Sequence, residues 1–173
     1  EGVTAIRGSD LQTQLSTLPK ADLTEAERAG LIRMREEEKL AGDVYRALFA
    51  QWKTPTFTNI AKAEDTHTAA VKTLLDRYGI PDPAAGQGEG AFTNSELQAL
   101  YDKLLAEGKT SEVEALKVGA LVEEVDIADL QARKTSKADI NLVYQNLERG
   151  SRNHLRSFVS NLRSRGVTYT PSQ

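Results

Sequence analysis

Apolar residues recur every three to four positions along most of the chain, which is the spacing of amphipathic helices. The pattern predicts four long helices, covering residues 24 to about 54, about 58 to 78, 111 to about 133, and 137 or 139 to about 166. A shorter helix is expected from 95 to about 106, between the second and third long helices. The chain is therefore predicted to be all-α.

Capping residues and helix breakers support these boundaries. Thr24 and Glu27 have the Thr-x-x-Glu form of a capping box, in which each side chain satisfies a backbone N–H of the other residue. Pro55 is expected to end the first long helix, because proline cannot continue a helical hydrogen-bond ladder. The remaining signals are Asn94 and Ser111 as helix starts, and Gly108 and Gly166 as helix ends.

Three segments are expected to lie outside the long helices. Residues 1–22 form an N-terminal arm, in which Leu11, Leu15 and Leu18 predict one or two helical turns before Pro19. The Gly- and Pro-rich stretch 79–90 predicts a long connection rather than a phosphate-binding loop, since it lacks a Gly-Lys-Ser/Thr ending. Residues 166–173 are expected to form a loose tail, which leaves 23–165 as a single helical domain.

Composition and charge narrow the function. Aromatic residues make up 6% and charged residues 27% of the chain, as in amphipathic helices, and the net charge of −3 offers no basic face for nucleic acid. No apolar run approaches the roughly 20 residues that cross a bilayer, so the chain is expected to be soluble. The sequence begins with Glu1 rather than Met. This is expected either of an exported chain whose signal has been removed or of a shortened chain, so the compartment stays open.

Each long helix carries metal-competent side chains on its apolar face. These are Glu38 on the first helix, Glu64 and His67 on the second, Glu123 and Asp126 on the third, and His154 on the fourth. Buried acids need a counter-charge, and no Lys or Arg lies at the centre of these faces. Two divalent ions would balance the four carboxylates. The absence of cysteine leaves only oxygen and nitrogen ligands.

Neighbouring ionisable and aromatic residues have simpler interpretations. Glu36, Glu37 and Glu124 rotate away from the apolar faces and are expected to be solvated, with Glu37 as the main rival to Glu38. Tyr45, Tyr101 and Tyr144 are predicted to be core aromatics outside the site. Any one of the candidate ligands alone would more often be a boundary acid or a hydrogen-bonded histidine. Their occurrence on all four helices favours a metal site.

Four stretches resemble the signature blocks of the DUF2202 family, a branch of the ferritin-like, rubrerythrin-related superfamily. They are EEEKLAGDVY at 36–45, FTNIAKAEDTH at 57–67, VGALVEEVDI at 118–127 and GSRNHLR at 150–156, and the likeness covers roughly residues 23–163. The resemblance implies a ferritin-like four-helix bundle, with a long connection between the second and third helices that contains the short extra helix. It also implies a centre of two iron ions, with manganese or a mixed pair as alternatives.

The resemblance also assigns roles to the candidate ligands. It implies that Glu64 bridges the two ions with His67 beside it, that Glu38 and Glu123 bind one ion each, and that His154 is the ligand of the fourth helix. The chain departs from the superfamily where Ser151 replaces the glutamate expected three residues before His154. Asp126 is a candidate to replace it; otherwise the site is asymmetric or holds one ion weakly.

The leading hypothesis is a dimetal oxidoreductase that reacts with O₂ or peroxide as a ferroxidase or peroxidase. Without cysteine the chain has no iron–sulfur site of its own, so an external electron donor would be required. The alternative is a non-enzymatic helical module that binds metal or a protein partner; a homodimer is compatible with either. Metal affinity is expected to fall below roughly pH 6 to 6.5, as His67 and His154 become protonated.

Overall fold

The computed structural model describes residues 8–172, and six α-helices with no strand account for the regular structure within that range. The prediction of an all-α chain is confirmed. Residues 1–7 of the predicted arm and Gln173 of the predicted tail lie outside the described range. The helices are α1 (Gly8–Ser16), α2 (Glu25–Trp52), α3 (Pro55–Arg77), α4 (Ser95–Gly108), α5 (Glu112–Ala132) and α6 (Ala138–Ser164).

Most helix ends follow the local sequence signals. Thr24 and Glu27 form both hydrogen bonds of the predicted capping box, and Asn94 and Ser111 cap α4 and α5. The role predicted for Pro55 was wrong. Helix α2 ends at Trp52, where Lys53 adopts a left-handed conformation, and Pro55 opens α3. The first position of a helix suits proline because its missing N–H would have no partner there.

The four long helices pack around a shared interior. Helix α2 packs on α3, and α5 on α6, while contacts between α2 and α5 and between α3 and α6 join the two pairs. The short α4 covers the side formed by α2 and α5, and α1 lies on α3. The interior therefore has one side closed by α2, α4 and α5 and an opposite side formed by α3 and α6.

The buried apolar residues form two clusters rather than one. The first contains Tyr45, Phe57 and Phe158, and the second contains Met34, Leu74 and Tyr144. Each long helix contributes to both clusters, and on each helix the predicted metal-ligating residues lie between its two contributions. The ionisable side chains therefore occupy a layer between two hydrophobic layers.

The non-helical segments are attached to this framework. In the long connection, the carbonyl groups of Gly88 and Ala91 accept hydrogen bonds from Lys39 Nζ. The C-terminal tail, predicted to be loose, is hydrogen-bonded to α5: both the backbone N–H and the hydroxyl of Ser172 donate to Glu124. None of the helices between residues 8 and 172 is long and apolar enough to span a bilayer.

Candidate metal centre

Four helices bring three glutamates and two histidines together in the layer between the hydrophobic clusters. Glu38 comes from α2, Glu64 and His67 from α3, Glu123 from α5 and His154 from α6. The three glutamates are almost completely buried, whereas the side chains of His67 and His154 retain 14% and 11% of their exposure. The acids thus lie inside, and the histidine rings reach toward one surface.

Glu64 lies between the two histidines. Its Oε2 is 3.0 Å from His67 Nδ1, and its Oε1 is 2.8 Å from His154 Nδ1. The two rings stack with their centroids 5.4 Å apart. Ligand atoms of these three residues all lie within 4.8 Å of one another, a spacing that could hold a metal ion.

The other two glutamates divide the cluster into two halves. Glu38 Oε2 lies 3.4 Å from His67 Nδ1, and Glu123 Oε1 lies 3.3 Å from His154 Nδ1. Each half therefore contains one histidine, one glutamate of its own and one oxygen of Glu64. We call them the His67 half-site (Glu38, Glu64, His67) and the His154 half-site (Glu123, Glu64, His154).

Several buried carboxylate oxygens have no hydrogen-bond donor within the described range. They include both oxygens of Glu38, of which Oε2 has only the 3.4 Å contact with His67 Nδ1, together with Oε2 of Glu123 and Oδ2 of Asp126. An unsatisfied buried anionic oxygen is costly, and a hard divalent cation binds such oxygens well. This donor set, with two imidazole nitrogens, fits a bound metal ion.

Tyr45 belongs to the cluster, although its sequence pattern predicted only a core aromatic. Its hydroxyl donates a 2.7 Å hydrogen bond to Glu123 Oε1. The ring packs against Phe57 and Phe158 in the first hydrophobic cluster, which fixes the hydroxyl in place. Tyr45 lies seven residues after Glu38, two helical turns along the same face, and that spacing was the only sequence signal for this role.

Without metal, protons neutralise much of the cluster. Burial raises the pKa values of Glu38, Glu123 and Asp126, and repulsion from nearby carboxylates raises them further. Burial would also raise the pKa of Glu64, but attraction to the two histidines outweighs it and holds that pKa well below its usual range. Burial alone would lower the pKa of His154, yet hydrogen bonds to Glu123 and Glu64 raise it to about 10.

This proton balance bears on two expectations. Protonated histidines and protonated carboxyl groups offer a second way, besides cations, to neutralise the buried acids. The raised pKa of His154 also extends the expected pH dependence of metal binding above the range of roughly pH 6 to 6.5. With a pKa of about 10, His154 still carries a proton at neutral pH that a metal ion must displace.

The metal-free protein is expected to lose stability as the pH rises from about 6 to about 10. His154 has a pKa of about 10 in the folded state against an ordinary value of 6.5, so its contribution to stability is complete below pH 6.5 and disappears as the pH passes 10. Burial raises the pKa of Glu37 to about 8, and this group acts in the same direction, because the folded state holds a proton that the unfolded state has lost. Urea unfolding of chelator-treated protein at a series of pH values measures this, and the expected loss is on the order of a few kcal/mol. Stability that rises over this range would contradict the charge assignment.

Three acids predicted to be solvated are buried instead. Glu36 accepts hydrogen bonds from the backbone of Thr93 and Asn94, Glu124 accepts those of Ser172, and Glu37 pairs with Arg33. A helical wheel describes one buried face, whereas α2 and α5 are also covered by α4, the long connection and the tail. The prediction was wrong because these coverings are distant in sequence.

Asp126 and Ser151 occupy less direct positions. Asp126 is 3% exposed and is repelled by Glu38, Glu37 and Glu123, which places it beside the acidic part of the cluster. Ser151 is buried one turn before His154, and its hydroxyl has no hydrogen-bond partner within the described range. Glu148 points outward to Arg152, so it does not replace the missing glutamate.

A cleft of about 540 Å³ opens beside the histidines. Its walls come from α1, α3 and α6, and both histidine rings line it together with polar residues such as Gln12, Asn146 and Asn153. This cleft, lined by both polar and apolar side chains, opens the cluster to solvent.

Comparison with known proteins places the chain in a family. Residues 27–173 match the family described as "Uncharacterized protein domain (DUF2202)". The chain is 53% identical over 159 residues to the uncharacterized protein MJ0754 of Methanocaldococcus jannaschii, covering 91% of this chain and 86% of that protein. The crystal structure of the protein MJ0754 from Methanococcus jannaschii superposes with a TM-score of 0.88 at 52% identity, and the match covers 90% of each chain. The family match spans most of the chain and the relative shares more than half of its residues, so the protein belongs to the DUF2202 family.

Proposed function

We propose that this protein is a ferritin-like four-helix bundle over residues 23–165 that holds two iron ions and reacts with O₂ or peroxide. The observation that carries the proposal is the pair of half-sites, in which Glu64 presents one oxygen to each histidine. A glutamate shared between two positions, each completed by one further glutamate and one histidine, resembles the donor arrangement of dimetal carboxylate proteins, which have a second Glu-x-x-His where this chain has Ser151-x-x-His154.

The distances support a ligand assignment. Glu38, Glu64 and His67 would hold one ion, and Glu64, Glu123 and His154 the other. Asp126 lies beside the acidic part of the cluster and would supply a further oxygen in place of the glutamate that Ser151 replaces. In each histidine Nδ1 faces the carboxylates, so Nδ1 is the ligand atom we assign.

Bound ferrous iron would supply electrons: oxidation of two ferrous ions reduces O₂ with two protons to hydrogen peroxide, or hydrogen peroxide with two protons to two waters. The protein residues position and protect this chemistry. Tyr45 holds Glu123 by its hydrogen bond, and the hydrophobic layers exclude water from both sides of the cluster. Since the sequence contains no cysteine for an iron–sulfur centre, a partner would return the electrons.

An anaerobic ferrous titration followed by exposure to air tests the proposal. We expect two ferrous ions to bind per chain, and near-ultraviolet absorption of ferric iron to grow when air or peroxide is added. Metal analysis of protein purified without chelator would distinguish iron from manganese or a mixed pair. Tight binding without any reaction with O₂ or peroxide would refute the oxidoreductase proposal and favour a metal-binding module without redox activity.

A further inference from the structure

A second, apolar pocket lies on the side of the cluster away from the histidine cleft. Its walls come from α2, α4 and α5, whereas the histidine cleft is formed by α1, α3 and α6. Leu97, Leu100 and Leu104 of α4 form the outer wall. The volume is about 40 Å³, which is enough for a very small molecule.

Two carboxylates line this otherwise apolar pocket. They are Glu37 and Asp126, each 3% exposed. Glu37 pairs with Arg33 and lies beside Asp129, whereas Oδ2 of Asp126 has no hydrogen-bond partner within the described range. Asp126 follows Glu123 by one turn of α5 and lies beside the acidic part of the cluster, so the pocket borders the cluster at this residue. The short helix α4, which contributes no candidate ligand, supplies the wall that keeps this approach apolar.

We propose that this pocket admits dioxygen to the metal centre, an inference that rests on the proposed function. Seven of the nine residues that line the pocket are leucine or valine, so most of its wall offers water no hydrogen-bond partner, whereas dioxygen needs none. Hydrogen peroxide is polar and would instead enter by the histidine cleft, where Gln12, Asn146 and Asn153 offer hydrogen bonds. The two openings thus separate an apolar oxidant from polar solutes and metal ions.

Xenon binding to the metal-free protein tests the pocket without any metal chemistry. Xenon occupies dry apolar cavities, so saturable xenon binding is expected by ¹²⁹Xe NMR. It should be lost in Leu104→Phe, which fills the pocket, and weakened in Leu100→Phe near its mouth. Leu105→Phe is the matched control, because Leu105 is the next residue of α4 and packs on the first hydrophobic cluster without lining the pocket.

The ferrous-loaded variants supply the second measurement. Leu104→Phe should slow oxidation by O₂ several-fold and leave oxidation by hydrogen peroxide unchanged, and Leu105→Phe should change neither rate. If the folded Leu104→Phe protein reacts with O₂ at the wild-type rate, or if the wild-type protein binds no xenon, the pocket is not the route. A wild-type ferrous protein inert to O₂ and peroxide would refute the proposed function, and this inference with it. Should Leu104→Phe fail to fold, Leu100→Phe and the wild-type xenon measurement decide.

Discussion

Replacing Glu64 with glutamine is expected to weaken metal binding at both positions of the centre together. Glu64 supplies an oxygen to each half-site, 3.0 Å from His67 Nδ1 and 2.8 Å from His154 Nδ1, and a neutral amide is a far poorer ligand than a carboxylate. Affinity should fall by more than roughly 100-fold, the upper end of the loss caused by removing an outer partner of a metal ligand. An anaerobic ferrous titration of Glu64→Gln measures both the affinity and the number of ions bound.

Three further acid-to-amide substitutions make the result specific. Glu38→Gln and Glu123→Gln each alter one half-site, so each should leave one ion tightly bound. Asp65→Asn is the matched control, because Asp65 is the next residue of α3 and its side chain is 68% exposed toward Arg46. Two ions bound with wild-type affinity by a folded Glu64→Gln protein would exclude the bridging role.

Replacing Gly150 with alanine is expected to disable the His67 half-site selectively. A Cβ at position 150 would lie 2.4 Å from Cε1 and Nε2 of His67, closer than atoms in contact can approach. The ring must move, and Nδ1 then leaves its place between Glu38 and Glu64. We expect the ferrous titration to show one ion bound as in the wild type and the other weakened roughly ten- to hundred-fold, as when a ligand loses its orientation.

Gly30→Ala is the control for a glycine buried in a helix. The Cβ at that position would meet Tyr144 Oη at 3.4 Å, an ordinary contact, and the change should leave metal binding intact and stabilise α2 by up to about 1 kcal/mol. If Gly150→Ala binds both ions equally well, or loses both equally, the division into half-sites is wrong.

The site was predictable from sequence to the extent that it depends on helical periodicity. Glu38, Glu64, Glu123 and His154 each interrupt an apolar stripe, and that interruption is visible without knowing which helix packs on which. Glu37 and Tyr45 were misjudged for one reason: their surroundings are built by other elements. Glu37 is covered from α4 and α5, and the Tyr45 hydroxyl is placed by a partner 78 residues away.

The sequence by itself determined the helices, most of their ends and the inward direction of the ligand-bearing faces, because these depend on hydrogen bonds and side-chain spacing within a few residues. Only the tertiary structure decided that Glu64 stands between the histidines and that protons can neutralise the metal-free cluster. It also decided that an open cleft with several polar side chains and a small apolar pocket lie on opposite sides of the cluster. These properties depend on distances between helices far apart in the chain, and on the burial that their packing creates.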